Sequence, residues 1–223
     1  MTDVVALVPA AGMGVRLGEN MPKAFVELAG RTLLEWALDG LTTSGALSRV
    51  IVIVPEVLRE RTIELCASFA VDVDVVVGGA ERTDSVRAGL VAAGHADIVL
   101  VHDAARCLTP PSLILRVVDA VASGARAVVP VLPVVDTMKS VDSAGVVTGT
   151  VDRATLRSVQ TPQGFDGATL RRAYAEFPES ATDDAGLVER LGVDVLTVRG
   201  DADAFKITTP MDLILARALI ARP

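Results

Sequence analysis

Short valine-rich runs recur along this chain, separated by stretches whose apolar residues fall at helical spacing. Val4–Val8, Val50–Val54, Val71–Val77, Ile98–Val101 and Ala127–Val131 each read as a strand. Near-continuous apolar runs of this length suit parallel strands covered on both faces. Aromatic residues make up only 3% of the chain while 51% is hydrophobic, so the core has to be built from Val, Ala and Leu. Between the runs, Leu33, Leu34, Ala37, Leu38 and Leu41 lie on one helical face behind Thr32, a suitable cap. A second helix is expected through Leu58, Ile63 and Leu65. A third runs through Val86, Leu90 and Val91 with Thr83 or Asp84 as its cap. A fourth is opened by Pro110-Pro111 and runs through Leu113, Val117, Val118 and Val121. Strand and helix alternating over short connections predict an α/β fold, a mostly parallel twisted sheet flanked by helices. In such sheets ligands bind beyond the carboxyl ends of the strands.

The rhythm breaks between residues 134 and 158. Thr137–Val141 and Val146–Val151 read as two strands joined by the turn Asp142-Ser143-Ala144-Gly145. An isolated hairpin is marginal in water, so this one needs a surface to pack on. The pattern leaves two options: an arm that reaches a partner subunit, or a hairpin folded back on its own domain. Helices are then expected at about 166–176 and 183–191, a strand at Val193–Val198, and a last helix through Leu213, Ile214 and Leu219, opened by Thr209-Pro210. Without repeats or a flexible linker, residues 1–223 are expected to form one domain with a projecting arm at 134–158.

Charge narrows the function. The net charge is −7, which argues against binding nucleic acid through bulk electrostatics and requires local, named cations for any anionic ligand. Cys66 and Cys107 are too few for a disulfide framework or a zinc cluster. No apolar run approaches membrane-spanning length and no leader peptide is visible, so a cytoplasmic enzyme without a membrane partner is expected.

Three strand ends carry chemistry. After the first strand, Pro9-Ala10-Ala11-Gly12-Met13-Gly14 is small and flexible, and Arg16 and Lys23 follow. Backbone N–H groups of such a loop converge on phosphate oxygens, and two cations beside it hold a polyphosphate. The third glycine of a dinucleotide fingerprint is missing, with Leu17 in its place, and the loop lacks the ending of a P-loop. Taken alone, the glycines describe a tight turn and the cations a solvated surface. After the fourth strand, Asp103 in His102-Asp103-Ala104-Ala105-Arg106 is placed to bind Mg²⁺, directly or through water, or to accept from a hydroxyl. Arg106 either stiffens that loop by pairing with Asp103 or meets substrate. His102 and Cys107 read as structural. After the third strand, Gly78-Gly79 leads into a helix whose first turn holds Ser85, where backbone groups can read a base edge. Further along, Arg153 and Lys206 are cations, and Thr137, Thr161 and Thr182 are neutral donors, any of which can grip a phosphate.

In this order the motifs PAAGMGVRLGENMPK, GGAERTDSVRAGL, VHDAARCLTP, PVVDTMK, VDRATLRSVQTPQGF and DAFKITTPMDL resemble the 2-C-methyl-D-erythritol 4-phosphate cytidylyltransferase family over nearly the whole chain. The resemblance implies a Rossmann-like nucleotidyltransferase fold and a homodimer embraced by the 134–158 arm. It implies transfer of a cytidylyl group from CTP to methylerythritol phosphate, with Mg²⁺, in non-mevalonate isoprenoid synthesis. It gives Arg16 and Lys23 the charge on the α-phosphorus, and Ala10, Gly79 and Ser85 the cytosine, within a nucleotide site of Pro9, Ala10, Ala11, Gly12, Gly14, Gly79 and Ser85. Arg153 and Lys206 take the acceptor phosphate with Thr137 and Thr161 beside them, and Asp103 meets the methylerythritol hydroxyls and the metal's surroundings; from the residue reading, Arg106 and Thr182 join the expected substrate-binding set. Arg153 and Thr137 are implied to reach in from the neighbouring arm. Cys107 departs from the family, which usually has proline after HDAAR.

Two other readings compete with this one. A cytidylyltransferase for another polyol phosphate, such as ribitol 5-phosphate, has a similar loop and arm. A non-catalytic nucleotide-binding regulator would not need Arg16, Lys23, Asp103, Arg153 and Lys206 together. A Rossmann dehydrogenase is disfavoured by the missing glycine and by the lack of a suitably placed acid, Glu35 being on a helix.

Overall fold

A computed structural model describes residues 2–12, 21–179, 181 and 183–222. Its elements in chain order are β1 (Val4–Pro9), β2 (Glu27–Leu28), β3 (Arg31–Thr32), α1 (Leu33–Thr43), β4 (Arg49–Val54), α2 (Arg59–Cys66), β5 (Asp72–Val77), α3 (Arg82–Ala93), β6 (Ile98–Val101), α4 (Pro111–Ala122) and β7 (Ala127–Pro133). Then come β8 (Met138–Val141), β9 (Val147–Val151), β10 (Arg157–Val159), β11 (Gln163–Asp166), α5 (Gly167–Glu176), α6 (Asp184–Arg190), β12 (Leu196–Arg199) and α7 (Pro210–Ile220).

One sheet organises the chain. β1 lies between β4 and β6, parallel to both, and β5 extends the sheet beyond β4, again parallel. The chain therefore builds outward from β1 through β4 to β5 and returns to the other side of β1 for β6. That reversal opens a crevice at the carboxyl ends of β1 and β6, the switch point at which open α/β sheets bind ligands. Beyond β6 the sheet becomes mixed. β11 runs antiparallel to both β6 and β7, β10 antiparallel to β7, and β12 parallel to β7.

The alternation of side chains sorts the core into two faces. Val4, Ala6, Val8, Val50, Val52, Val54 and Leu100 face Leu34, Leu38 and Leu41 of α1 and Ile114, Val117, Val118 and Val121 of α4. Val5, Leu7, Ile51, Ile53, Val99 and Val101 face Val86 and Leu90 of α3, Leu170 and Ala173 of α5, and Leu187 and Val188 of α6. A smaller cluster joins Val26, Leu28, Leu33, Ala37, Cys107, Ile207 and Ala216, which seats α7 beside α1.

Local signals explain several boundaries. Thr32 caps α1 by accepting from Glu35 N–H, and Glu35 returns to Thr32 N–H. Thr209 and Asp212 make the same reciprocal arrangement at α7. The expected cap of α3 is corrected. Glu81 occupies the cap position and Asp84 accepts from its N–H, so Thr83 and Asp84 lie in the first turn. The last strand begins later than its valines suggest, at Leu196.

β11 was not foreseen. Its sequence, Gln-Gly-Phe-Asp, lacks a β-branched residue, and it is made a strand by the slot between β6 and β7. Gln163 is buried there because its side chain donates to Asp183 and accepts from Ala185 N–H. Gly164 is required there by contact, since a Cβ would collide with Val117 Cγ1 of α4.

The hairpin appears as expected, with β8 and β9 pairing antiparallel. Asp142 closes the turn by accepting from Ala144 and Val146 N–H, and Gly145 takes the left-handed conformation at φ +82°. Val135, Met138, Val141, Val146 and Val147 are exposed on this segment.

Gly164→Ala is expected to cost about 1–3 kcal/mol through overpacking against α4, whereas Gly149→Ala in the hairpin, where a Cβ meets nothing within 4 Å, stays within about 0.5 kcal/mol. Urea denaturation of the two variants checks both values.

Candidate functional site

A cavity of about 250 Å³ opens at the β1/β6 crevice. Its floor is Pro9, Ala10, Ala11 and Gly12, where β1 ends. Ala10 N–H still donates to Ile53 O, so the strand's ladder carries one residue into the loop. One wall is Gly79, Ala80, Glu81, Arg82 and Ser85, the turn after β5 and the start of α3. Gly79 is held so closely against α3 that a Cβ would collide with Asp84 Cβ. The backbone therefore approaches the cavity edge without a side chain in the way. Ser85 is buried and its hydroxyl donates to Glu81 O at 3.2 Å. The opposite wall is Asp103, Ala104 and Ala105 after β6, closed by Lys23 and Lys206.

The two lysines meet through the backbone. Lys23 Nζ donates to Ile207 O at 2.9 Å, which sets it beside the segment that carries Lys206. Lys206 Nζ donates to Asp103 Oδ2 at 2.7 Å. Asp103 Oδ1 faces Arg82 Nε at 3.5 Å. Burial alone would raise the Asp103 carboxyl, but Lys206, then Arg82, and Arg106 more distantly, outweigh it and hold the group down at about 2. It is an anion throughout the physiological range.

Arg82 is held from the other side as well. Its two terminal nitrogens fork onto Asp184, at 3.1 Å to Oδ1 and 2.6 Å to Oδ2. Asp184 is fully buried and also accepts from the Tyr174 hydroxyl at 2.6 Å. Charge thus alternates from Lys206 through Asp103 and Arg82 to Asp184. Arg82, Asp184 and Tyr174 were not singled out from the sequence. Arg82 sits inside a quoted motif but reads there as an ordinary helix-start cation, and Asp184 lies 102 residues away.

The expected site residues divide accordingly. Pro9, Ala10, Ala11, Gly12, Gly79, Ser85, Lys23, Asp103 and Lys206 come together around the cavity. Thr161 is buried beneath it, accepting from Asp103 N–H at 3.0 Å and contacting His102 Nδ1 at 3.1 Å. Arg106 points away. Its guanidinium donates to Ala204 O and Val159 O, tying the β6 loop to β10 and to the segment before Lys206. Thr137 and Arg153 lie on the exposed arm, outside the cavity lining, and Arg153 donates to Val135 O. Gly14, Arg16 and Thr182 lie outside the described residues.

The two residues read as structural behave so. His102 is fully buried, and burial holds its imidazole down to about 4. Cys107 is buried and its thiol is pushed up to about 12, which leaves it a neutral apolar filler rather than a nucleophile. Among the described residues no cluster of three or more His, Cys, Asp or Glu is arranged for a metal, and no helix is long and apolar enough to cross a membrane.

Comparison with known proteins decides the family. A sequence model described as IspD: 2-C-methyl-D-erythritol 4-phosphate cytidylyltransferase matches residues 4–222. The chain belongs to the 2-C-methyl-D-erythritol 4-phosphate cytidylyltransferase family. A curated member of this cytidylyltransferase family from Rhodococcus jostii (strain RHA1) is 65% identical over 217 residues, 97% of this chain and 95% of that protein. The crystal structure of the 2-C-methyl-D-erythritol 4-phosphate cytidylyltransferase from Thermus thermophilus is 41% identical, with a TM-score of 0.79 and 98% of each chain covered. A 4-diphosphocytidyl-2C-methyl-D-erythritol synthase from Anaerococcus prevotii DSM 20548 superposes with a TM-score of 0.87 at 27% identity over 99% of each chain. The fold is thus that of the cytidylyltransferases, and the cavity lies among the motifs that carried the resemblance.

Because His102 has a folded pKa of about 4 against an ordinary 6.5, the unfolded chain takes up this proton first as pH falls. The stability is fully present above 6.5, is lost between 6.5 and 4, and changes no further below 4, by on the order of 3 kcal/mol. His102→Asn is expected to flatten that part of the curve, and urea denaturation from pH 7 to pH 4 measures it.

Proposed function

We propose that the chain transfers a cytidylyl group from CTP to 2-C-methyl-D-erythritol 4-phosphate, giving 4-diphosphocytidyl-2-C-methyl-D-erythritol and pyrophosphate. One observation carries the reading in a chain of this family. A small-residue strand end, two lysines and a single ionised aspartate share one cavity at the sheet's switch point. The acceptor phosphate oxygen attacks the α-phosphorus of CTP, the bond to the bridging oxygen breaks, and pyrophosphate leaves with the electron pair. The nucleophile is already anionic, so no general base is needed. Catalysis then rests on alignment and charge.

The backbone of Ala10–Gly12 and the start of α3 suit a triphosphate and a base edge, with the Gly79 turn keeping side chains clear. Lys23, and Arg16 by the family resemblance, meet the charge that builds on phosphorus. Lys206 and Asp103 suit the acceptor, the first its phosphate and the second its hydroxyls. A magnesium ion fits this donor set. Mg²⁺ keeps several waters and takes one or two carboxylates plus substrate phosphates, and Asp103 offers such a carboxylate, directly or through water. When bound, the ion neutralises triphosphate charge and polarises the transferring phosphoryl group.

The arm belongs to this reading. Residues 134–158 are proposed to embrace a second copy, as part of one domain spanning 1–223, in a cytoplasmic homodimer. Support comes from the hairpin's own pairing and its exposed Val135, Val141, Val146 and Val147. The position of Thr137 and Arg153 outside their own chain's cavity lining also supports it. They then serve the partner's site.

Pyrophosphate release tests the reaction. CTP with methylerythritol phosphate is expected to outperform every other nucleoside triphosphate and ribitol 5-phosphate. Lys23→Ala is expected to lower kcat by roughly 10²–10³, about 3–4 kcal/mol, with a much smaller change in CTP affinity; an unchanged kcat removes Lys23 from the mechanism. Mixing the inactive Lys23→Ala and Arg153→Ala variants under conditions of subunit exchange is expected to restore activity, because one site of the mixed dimer then keeps both residues. No recovery places Arg153 in its own chain's site.

A further inference from the structure

The reaction as derived uses Asp103 but leaves unexplained a buried ion pair beside it. Asp184 has no exposure, so it touches no substrate, yet it takes both terminal nitrogens of Arg82. Arg82 is the cavity-lining member of the pair. Burying a carboxylate is costly and stabilises little overall compared with an apolar replacement, so such a pair often serves something other than stability.

The distances show what it does. Arg82 has two carboxylates in reach and divides itself unequally between them. Asp184 receives a forked pair of hydrogen bonds, the strongest geometry a guanidinium offers, whereas Asp103 receives only Nε, at 3.5 Å and beyond a normal hydrogen bond. The Tyr174 hydroxyl fixes Asp184 Oδ1 from behind at 2.6 Å. Among the described residues, Asp103 Oδ1 has no closer polar partner, while Oδ2 is taken by Lys206. Without Asp184, the guanidinium would close on Asp103 as its remaining anion, and both oxygens of Asp103 would be occupied by protein cations.

We propose that Asp184 is a positioning residue: by forking Arg82 it holds the guanidinium back from Asp103, leaving Oδ1 open to the acceptor's hydroxyls. This rests on the assignment of the acceptor to Asp103 made above. The pair costs the chain a buried charge and gives a carboxylate that is ionised but not consumed.

The test uses the full-length chain and calorimetric titration of methylerythritol phosphate at a saturating concentration of a non-hydrolysable CTP analogue, so that no turnover is needed. Asp184→Asn keeps the shape and removes the charge, and it is expected to weaken acceptor binding by roughly tenfold or more, the worth of one hydrogen bond to a charged group. Affinity for the CTP analogue is expected to change by less than about twofold on the same scale. The combination Arg82→Gln with Asp184→Asn is expected to recover acceptor binding, since the side chain that would close on Asp103 no longer carries charge. A merely structural role predicts the opposite, a double variant no better than Asp184→Asn, and that result overturns the proposal. So does an equal loss for both ligands. Should Asp184→Asn fail to fold, Arg82→Lys gives the comparison, because an ammonium cannot fork Asp184. Acceptor affinity is expected to fall although the charge is kept, and unchanged affinity overturns the proposal. If the unaltered chain binds no methylerythritol phosphate, it is the acceptor assignment that has failed.

Discussion

The carboxylate of Asp103 is the point on which the site depends. It follows the end of β6, at the crevice the sheet opens beside β1. Through Lys206 it is tied to the segment leading into α7, and Arg82 Nε, 3.5 Å away, sets it beside the start of α3. Those three pieces are far apart in sequence, and the sheet alone sets only the first. Thr161 adds a fourth by accepting from the backbone N–H of Asp103, which links the β10–β11 corner. A single aspartate therefore joins three loops by hydrogen bonds and faces a fourth, and its side chain stays charged because cations outweigh its burial.

The same network shows why the site is polar but not loose. Arg106 looks from sequence like a partner for Asp103 or a ligand contact. It instead directs its donors to the carbonyls of Ala204 and Val159. Those bonds lock the loop that presents Asp103 to the loop that presents Lys206. With Arg106 turned away, the roles of pairing partner and of brace fall to different residues, and the carboxylate keeps an edge toward the cavity. His102 completes the base of this loop as a neutral buried ring against Thr161.

Most of the fold could be read from the chain because its signals were local. Val-rich runs marked β1, β4, β5, β6 and β7, and helical spacing marked α1, α3 and α4. Asp-Ser-Ala-Gly marked the hairpin turn. What escaped was set by tertiary context. β11 is a strand because of its neighbours, and the burial of its Gln163 is offset by two hydrogen bonds to the start of α6. Of the site, the small strand end, Lys23, Asp103, Gly79, Ser85 and Lys206 were legible, since most sit where a strand stops and a ligand can enter. The Arg82–Asp184 pair was not, because an arginine in a first helical turn and an aspartate at the start of a distant helix are each ordinary until the fold brings them together.

The placement of the arm follows from the same logic of what the core can cover. The two faces of the sheet pack against α1 and α4 on one side and against α3, α5 and α6 on the other, and among the described residues β8 and β9 pair only with each other. The hairpin's valines stay in solvent within one chain, and an apolar two-stranded ribbon in water is poorly stable by itself. A second copy is the economical cover in the proposed assembly, since it presents the same unsatisfied ribbon in return and closes the assembly by symmetry. Arg153 then takes its place at the root of the arm from a constraint that the monomer does not contain. On that reading, the cavity of one chain supplies the triphosphate lysine and the acceptor carboxylate, and the arm of the other brings the remaining cation to the acceptor phosphate. Assembly and acceptor recognition become one event.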